Sequence, residues 1–488
     1  MAAAWSLGVS KLTAASIVGF FVLIVLAVDR FGVIKFYGSG GGGGSLIELG
    51  GLSISSVQLQ TRVPGSVEPQ SVVNDTASSW TERIANLTLL VRKSGEARRT
   101  EAVEEGLARA RAAIRMAMMK GEQSATNASI VEVDGVNSSS SFIYRDPRAF
   151  FQSYMEMEKR FKVYVYKEGE RPIVHSGPCK DIYSTEGRFI DEMEHGSGRF
   201  RTRDPRAAHV FFMPFSVTWM VEYINKTLKY APLQHFVSDY VKVISSKHPF
   251  WNRTQGADHF MVSCHDWAPH ASEGNSNLYN NSIRVLCNAN SSEGFNPQKD
   301  VSLPEIKLDS GHFSPQLLSI PPRTNPRPYL AFFAGGLHGP IRPILLNHWK
   351  GKDPNIQVYE YLPKELDYFS FMNKSKFCLC PSGYEVASPR ILESIYTGCV
   401  PVILSKSYVL PFSDVLRWEA FSIQIDVEEI PRLKQVLEAV TDDKYRMLLE
   451  GSRAVRRHFI LNQPAKRFDM FHMILHSIWL RRLNLRVR

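Results

Sequence analysis

Two short segments hold residue types that suit gripping an anion, "FFAGGLHGPIRP" (332–343) and "CPSGYEVASPRILESIYTGCVPVIL" (380–404). Each reads as strand, Gly-rich loop and helix start, and each start carries an arginine, Arg342 or Arg390. A helix start leaves backbone N–H groups free, and its dipole favours negative charge. A guanidinium adds a planar, charge-assisted fork for phosphate oxygens. In the second segment Ser388 reads as the N-cap, Pro389 as the first helical residue and Gly398 as the residue past the end. Ile391, Leu392 and Ile395 form the expected buried stripe, with Arg390, Glu393 and Thr397 on the open side. Glu393 is a poor phosphate contact but accepts hydrogen bonds well, as ribose hydroxyls require. Two such loops on neighbouring strands can hold one diphosphate. The competing reading is an Arg390–Glu393 ion pair on a solvated helix. Neither loop is a Walker motif or a GxGxxG fingerprint, so ATPase and dinucleotide readings are weak.

These loops need a scaffold. From Phe161 onward continuous apolar runs alternate with helical patterns: "FKVYVYK", "AHVFFMPFS", "HFMVSCHDWAP", "IRVLCNA", then "YLAFFAGG", "SKFCLC", "CVPVIL" and "FSIQID". Such runs suit strands buried on both faces of parallel sheets. A chain of 488 residues exceeds what one core organises. The α/β expectation is therefore two Rossmann-like domains, 156–325 and 326–488, joined at the Pro-rich "SIPPRTNPRP". The last stretch, "PAKRFDMFHMILHSIWLRR", reads as an amphipathic helix folding back across the boundary.

The region before residue 156 reads differently. Residues 1–11 form a short tail, and "LTAASIVGFFVLIVLAV" (12–28) is long enough for a membrane anchor. No convincing signal-peptide cleavage site follows it. Residues 29–155 read as a stem, with the tether "GSGGGGGS" and a strong helix over 97–120 that either dimerises or packs on the body. Nine Asn-x-Ser/Thr triplets start at Asn74, Asn86, Asn127, Asn137, Asn225, Asn252, Asn280, Asn290 and Asn373. All lie after the apolar stretch, so the body is expected in a secretory lumen, glycosylated. The six cysteines suit that compartment and allow fifteen pairings if all are bridged. Zinc is disfavoured, because Cys378-Leu379-Cys380 is too tight for ligand spacing. The net charge of +10 comes without any nucleic-acid-binding signature, so nucleic acid is not an expected partner.

Five segments in order, "FKVYVYKEGERPIVHSGPCKDIYSTEGRFI", "FRTRDPRAAHVFFMPFS", "HPFWNRTQGADHFMVSCHDWAPH", "YLAFFAGGLHGPIRP" and "FCLCPSGYEVASPRILESIYTGCVPVILS", resemble the plant exostosin-type glycosyltransferases, family 47. The resemblance implies a type II Golgi membrane protein of GT-B type, two Rossmann-like domains facing a cleft. It implies transfer of a sugar, with inversion, from a nucleotide-sugar (usually a UDP-sugar) to a cell-wall polysaccharide. Donor binding would fall on Arg342, Ser388, Arg390 and Glu393, with Glu385 as a sugar contact. No cofactor or metal is expected. The chain has no Asp-x-Asp triplet, so arginines and helix dipoles must carry the leaving diphosphate's charge. Inversion needs a general base, and His265, Asp266 and His175 are the candidates. His265 and Asp266 are neighbours after a strand, so only one faces the cleft. His248 and His259 read as structural. Two other readings stand: a non-catalytic partner in a homo- or hetero-oligomeric synthase complex, and a glycoside hydrolase using Asp266 with Glu385.

Overall fold

The computed structural model describes residues 85–86, 98–119 and 138–487, apart from 227–228, 320 and 323–324. The apolar stretch 12–28, the tether and the sequons at Asn74, Asn127 and Asn137 lie outside these residues. Among the described residues no helix is long and apolar enough to cross a membrane.

Among the described residues, eleven strands form two wholly parallel sheets. The first comprises β1 (Val163–Val165), β2 (Arg201–Thr202), β3 (Val210–Phe212), β4 (His259–Ser263), β5 (Ile283–Leu286) and β6 (Val301–Ser302). The second comprises β7 (Tyr329–Ala334), β8 (Ile356–Tyr359), β9 (Ser375–Pro381), β10 (Val400–Leu404) and β11 (Ile423–Gln424). The spatial orders are β2-β1-β3-β4-β5-β6 and β8-β7-β9-β10-β11, the same winding used twice. Each sheet therefore has a switch point, β1/β3 in the first and β7/β9 in the second, where crossovers leave to opposite sides and open a crevice. Two parallel α/β sheets of this kind fit a GT-B-like fold. The strand interiors β3, β4, β5 and β10 are buried at every residue, which is why their sequences run apolar instead of alternating.

The helices that matter below are α1 (Pro147–Arg160), α2 (Ser184–His195), α3 (Ile341–Trp349), α4 (Tyr368–Lys374), α5 (Arg390–Thr397) and α6 (Met470–Asn484). The C-terminal α6 lies against α1 and the first sheet: His476 and Trp479 meet Ser153, and Arg482 donates from Nε to the His209 carbonyl at 2.7 Å. It is not amphipathic in place. His472, His476, Ser477 and Arg482 are buried along with its apolar residues, because the helix is enclosed on nearly every side. The helix over 98–119 packs on α6 of its own chain, through buried Leu107 and Ala110, an Arg111 bond to the Leu483 carbonyl (2.8 Å) and an Arg482–Glu104 ion pair.

Four of the six cysteines pair across strands: Cys264–Cys287 joins the ends of β4 and β5, and Cys378–Cys399 joins β9 to the start of β10. Cys179 and Cys380 are free. Of the described sequons, Asn86, Asn252 and Asn280 are exposed, and Asn373 is partly buried. Asn225 and Asn290 are 4% and 7% exposed.

Candidate active site

Both Gly-rich loops leave the C-terminal ends of β7 and β9, the two strands that flank the switch point of the second sheet. They touch. Gly339 has φ +68°, and a Cβ there would lie 1.7 Å from the Gly383 carbonyl oxygen. A Cβ on Gly335 would meet Arg390 Nη2 at 2.6 Å, and one on Gly383 would meet Arg342 Nη2 at 3.0 Å. The glycines are thus the spaces through which the arginines pass.

Arg390 donates from Nη2 to the Ala334 carbonyl (2.9 Å) and from Nη1 to Ser388 Oγ (3.1 Å), so it ties the two loops together. Arg342 is 8% exposed, and among the described residues its one hydrogen bond is a long contact from Nη1 to the Gly336 carbonyl, 3.4 Å. The Nε atoms of both arginines are buried with no partner among the described residues. Burial, and after it the charge of Arg390, lowers the Arg342 pKa to about 10. Two guanidinium groups held together with unused donors form a site short of negative charge.

The helix start differs in detail from the expectation. Pro389, not Ser388, occupies the N-cap, and no side chain caps it; Ser388 Oγ is taken by Arg390. Thr397 is not on an open face but 1% exposed, with Oγ1 donating to the Glu393 carbonyl at 2.8 Å. α5 is a central helix, so only its first turn and Glu393 remain partly accessible. Gly398 ends it at φ +64°, as a left-handed C-terminal glycine should. The solvated ion pair does not form. Glu393 accepts from the Tyr368 hydroxyl of α4 (3.1 Å), while Arg390 points to the β7 loop.

Facing these loops, the C-terminal edge of the first sheet presents carboxylates. Asp266 follows β4, Asn288 and Glu293 follow β5, and Glu305 follows β6. Burial raises the Asp266 pKa, against a hydrogen bond from Tyr183 that opposes the rise. Asn288 is the hub: Nδ2 reaches the Asp266 carbonyl (3.1 Å), Glu293 Oε2 (3.1 Å) and Glu385 Oε2 (2.7 Å), the last in the β9 loop. Glu385 is pushed up to about 8 by burial and then by the charges of Glu293 and Asp266. Glu305, 6% exposed, is likewise pushed up to about 8, by burial first and Asp266 next, with Arg390 and Arg342 pulling the other way. The structure therefore brings Asp266, Glu385, Arg342, Ser388, Arg390 and Glu393 into one region.

The histidines divide. The Trp267 N–H donates to His265 Nδ1 at 3.0 Å, so the neutral ring carries its proton on Nε2 and has no free nitrogen to accept another. Burial also lowers its pKa to about 4. His175, at φ +60°, pairs Nδ1 with Glu194 Oε1 at 2.6 Å, and that bond raises its pKa. Its partners belong to a different group from those of Asp266. His248 and His259 are bonded into the fold, to Glu168 (2.7 Å) and to Asp258 and Tyr166 (both 2.8 Å).

Sequence reasoning missed Glu305, Glu293, Asn288, Tyr183 and Tyr368. Glu305 had a signal: it lies three residues past β6, on the edge where parallel sheets bind ligands. Glu186 was also missed. Fully buried, it accepts from Ser263 Oγ (2.6 Å) and the Cys264 N–H (2.9 Å), and so pins the β4 end that carries Asp266.

The model of the Exostosin GT47 domain matches residues 157–440, which contain both sheets and every loop named above. The chain belongs to the exostosin GT47 family. It is a glycosyltransferase. It is 59% identical over 409 residues to a protein of Arabidopsis thaliana named a probable glycosyltransferase, covering 83% of each chain. A probable glucuronosyltransferase of Oryza sativa subsp. japonica is 29% identical over 65% of this chain and 77% of its own. A probable beta-1,4-xylosyltransferase of Arabidopsis thaliana, IRX10, is 29% identical over 65% of this chain and 82% of its own.

One consequence for this GT47 chain is testable at its tightest point. Gly339→Ala forces a methyl group into the Gly383 carbonyl at a positive φ, so the two loops must part. The expected cost is about 1–3 kcal/mol of stability, read as a lower melting temperature, with nucleotide-sugar affinity falling as well. An unchanged melting temperature and affinity would show that the loops need not touch.

Proposed function

We propose that this glycosyltransferase moves a sugar from a UDP-sugar to a plant cell-wall polysaccharide, with inversion at the anomeric carbon. The observation that carries the proposal is the pair of arginines with buried, orphaned Nε atoms at one sheet's switch point, opposite a wall of carboxylates on the other. Arg342 and Arg390 grip the diphosphate, Ser388 orients Arg390, and Glu393 takes the ribose hydroxyls. Asp266 is the general base. It removes the proton from the acceptor hydroxyl as that oxygen attacks the anomeric carbon, and the bond from that carbon to the diphosphate breaks. The departing charge meets the two guanidinium groups, whose fixed positions make them worth more in the transition state than in the bound substrate. Glu385, beside the base, contacts the transferred sugar. The names of the relatives, xylosyl- and glucuronosyltransferases, support a glycan product. A hydrolase wants two carboxylates opposed across a bond, whereas Glu385 lies close enough to Asp266 for that charge to raise its pKa and shares the Asn288 amide with the Asp266 main chain.

The test is UDP release from a panel of UDP-sugars, with and without EDTA. Because two arginines supply the positive charge, one UDP-sugar is expected to turn over with at most a modest loss on chelation. Activity abolished by EDTA and restored specifically by Mn²⁺ would require a different donor site. No turnover or binding of any UDP-sugar would overturn the proposal.

We also propose that residues 12–28 are retained as a Golgi signal-anchor, with the body lumenal. Protease added to sealed vesicles should then spare the body, and an N-glycosidase should shift its mobility. Digestion without detergent is the outcome that rejects this topology.

A further inference from the structure

Four consecutive residues at the start of α2, Tyr183, Ser184, Thr185 and Glu186, direct their polar groups away from their own helix. The last three are 0% exposed. Serine, threonine and glutamate at a helix start ordinarily bond the helix's free N–H groups. Here Tyr183 is the N-cap, and no side-chain bond caps the helix. The side chains reach loops at the C-terminal edge of the first sheet instead. Ser184 Oγ donates to the Ile306 carbonyl (3.3 Å) and Thr185 Oγ1 to the Pro304 carbonyl (2.9 Å), the two carbonyls that flank Glu305. Tyr183 adds a backbone bridge to Ile306. The helix start is thereby fixed to the loop after β6.

Glu186 reaches the loops after β3 and β4. Its Oε2 accepts from Ser263 Oγ (2.6 Å), the Cys264 N–H (2.9 Å) and Thr218 Oγ1 (3.2 Å). Its Oε1 accepts from the Thr218 N–H (3.3 Å) and from Ser216 Oγ. Each oxygen thus faces a backbone N–H, which can only donate. A glutamine in either orientation turns its NH₂ toward one of them, so the position requires a carboxylate and not merely its shape. Cys264 is also tied to Cys287, and Asn288, next in the chain, donates to the Asp266 carbonyl at 3.1 Å. The Asp266 carboxylate accepts from the Tyr183 hydroxyl. The Tyr183 ring is itself held against His265, centroids 4.9 Å apart and planes at 35°.

We propose that Tyr183 and Glu186 are positioning residues for the transfer reaction, Glu186 fixing the strand end from which Asp266 projects and Tyr183 orienting its carboxylate. The inference rests on the reading of Asp266 as base. The titratable groups around that carboxylate are Tyr183 at the start of α2, Glu293 after β5, Glu305 after β6 and Glu385 in the β9 loop, with the neutral His265 beside it. The three carboxylates disfavour its ionised form, whereas the Tyr183 hydroxyl favours it. Losing that bond raises the pKa. Because the base must be ionised to act, the acid limb of the rate then moves to higher pH.

The experiment uses the detergent-solubilised full chain. Turnover is read as UDP release over a panel of UDP-sugars with plant cell-wall oligosaccharides as acceptors, and UDP affinity by calorimetry. Glu186→Gln should lower turnover by roughly 10–100-fold, the scale of a catalytic group displaced by about 1 Å, with UDP affinity within about twofold. In an Asp266→Asn background the same change should alter the residual rate by less than about twofold, because groups that act as a unit are not additive. Tyr183→Phe keeps the ring and loses the hydroxyl, so its acid limb should lie at higher pH than that of wild type. That variant decides the matter if Glu186→Gln does not fold. A Glu186→Gln loss that multiplies in full with that of Asp266→Asn would mark a general structural defect and overturn the inference. Normal turnover in a folded Glu186→Gln protein, or an unmoved acid limb in Tyr183→Phe, would overturn it too. Full turnover in Asp266→Asn alone would instead reject Asp266 as the base, and this inference with it.

Discussion

Replacing Arg390 with alanine is expected to lower turnover by roughly 10²–10³-fold, about 2–4 kcal/mol of transition-state stabilisation, as for other lost electrostatic donors. The side chain does two things that alanine cannot. It joins the β7 and β9 loops through the Ala334 carbonyl and Ser388, and it holds a second guanidinium whose charge Arg342 feels. Arg390→Lys keeps a charge but loses the planar fork, so it should remain impaired, between wild type and alanine. Glu393→Gln should act mainly on donor affinity, because a neutral amide is a weaker acceptor for hydroxyls. Had Arg390 and Glu393 formed a solvated ion pair, both changes would be worth about 0–1 kcal/mol; the Tyr368 bond to Glu393 removes that possibility. The measurement is UDP affinity and turnover of each variant, with melting temperature as the control for folding. A well-folded Arg390→Ala protein with normal affinity and turnover would refute the role in gripping phosphate.

Asp266→Asn is expected to reduce turnover by about 10²–10⁴-fold with UDP affinity nearly unchanged, because the proposed base follows a strand of the first sheet and the arginines belong to the second. The sign of the pH dependence follows from its environment. A base must be ionised to accept a proton, so the rate rises with pH through its pKa. Burial raises that pKa, which places the acid limb of the wild-type profile above the usual aspartate range. Asp266→Asn should abolish that limb along with most of the rate. His265→Asn is the discriminating companion. Its Nδ1 is occupied by the Trp267 N–H, so losing it should cost far less than losing Asp266 and should leave the acid limb in place. If His265→Asn instead removes the limb, the assignment of the base is wrong.

The donor loops were largely legible because their information is local. Strand, glycines, helix start and arginine lie within about a dozen residues of each other, and apolar runs of four to seven residues announce strands covered on both faces. What stayed hidden inside those same segments depended on packing: Ser388 bonding Arg390 instead of capping, and Thr397 buried on a helix enclosed by its neighbours. On the opposite wall the position of Asp266 after a strand was visible, but nothing local distinguished it from His265.

By itself, the sequence determined the α/β class, the two arginine-bearing loops, the placement of Glu393 and Arg390 on one helix, and the family to which the chain belongs. Only the tertiary structure decided which groups share a site. Asn288 and Glu385 are 97 residues apart and bond at 2.7 Å. Glu305 feels Asp266, Arg342, Arg390 and Glu393 together because β6 ends on the edge facing the second sheet's switch point. The physical reason is that hydrophobic periodicity reports one element's own face, whereas the field at a carboxylate depends on strand order, burial and charges brought close from distant parts of the chain.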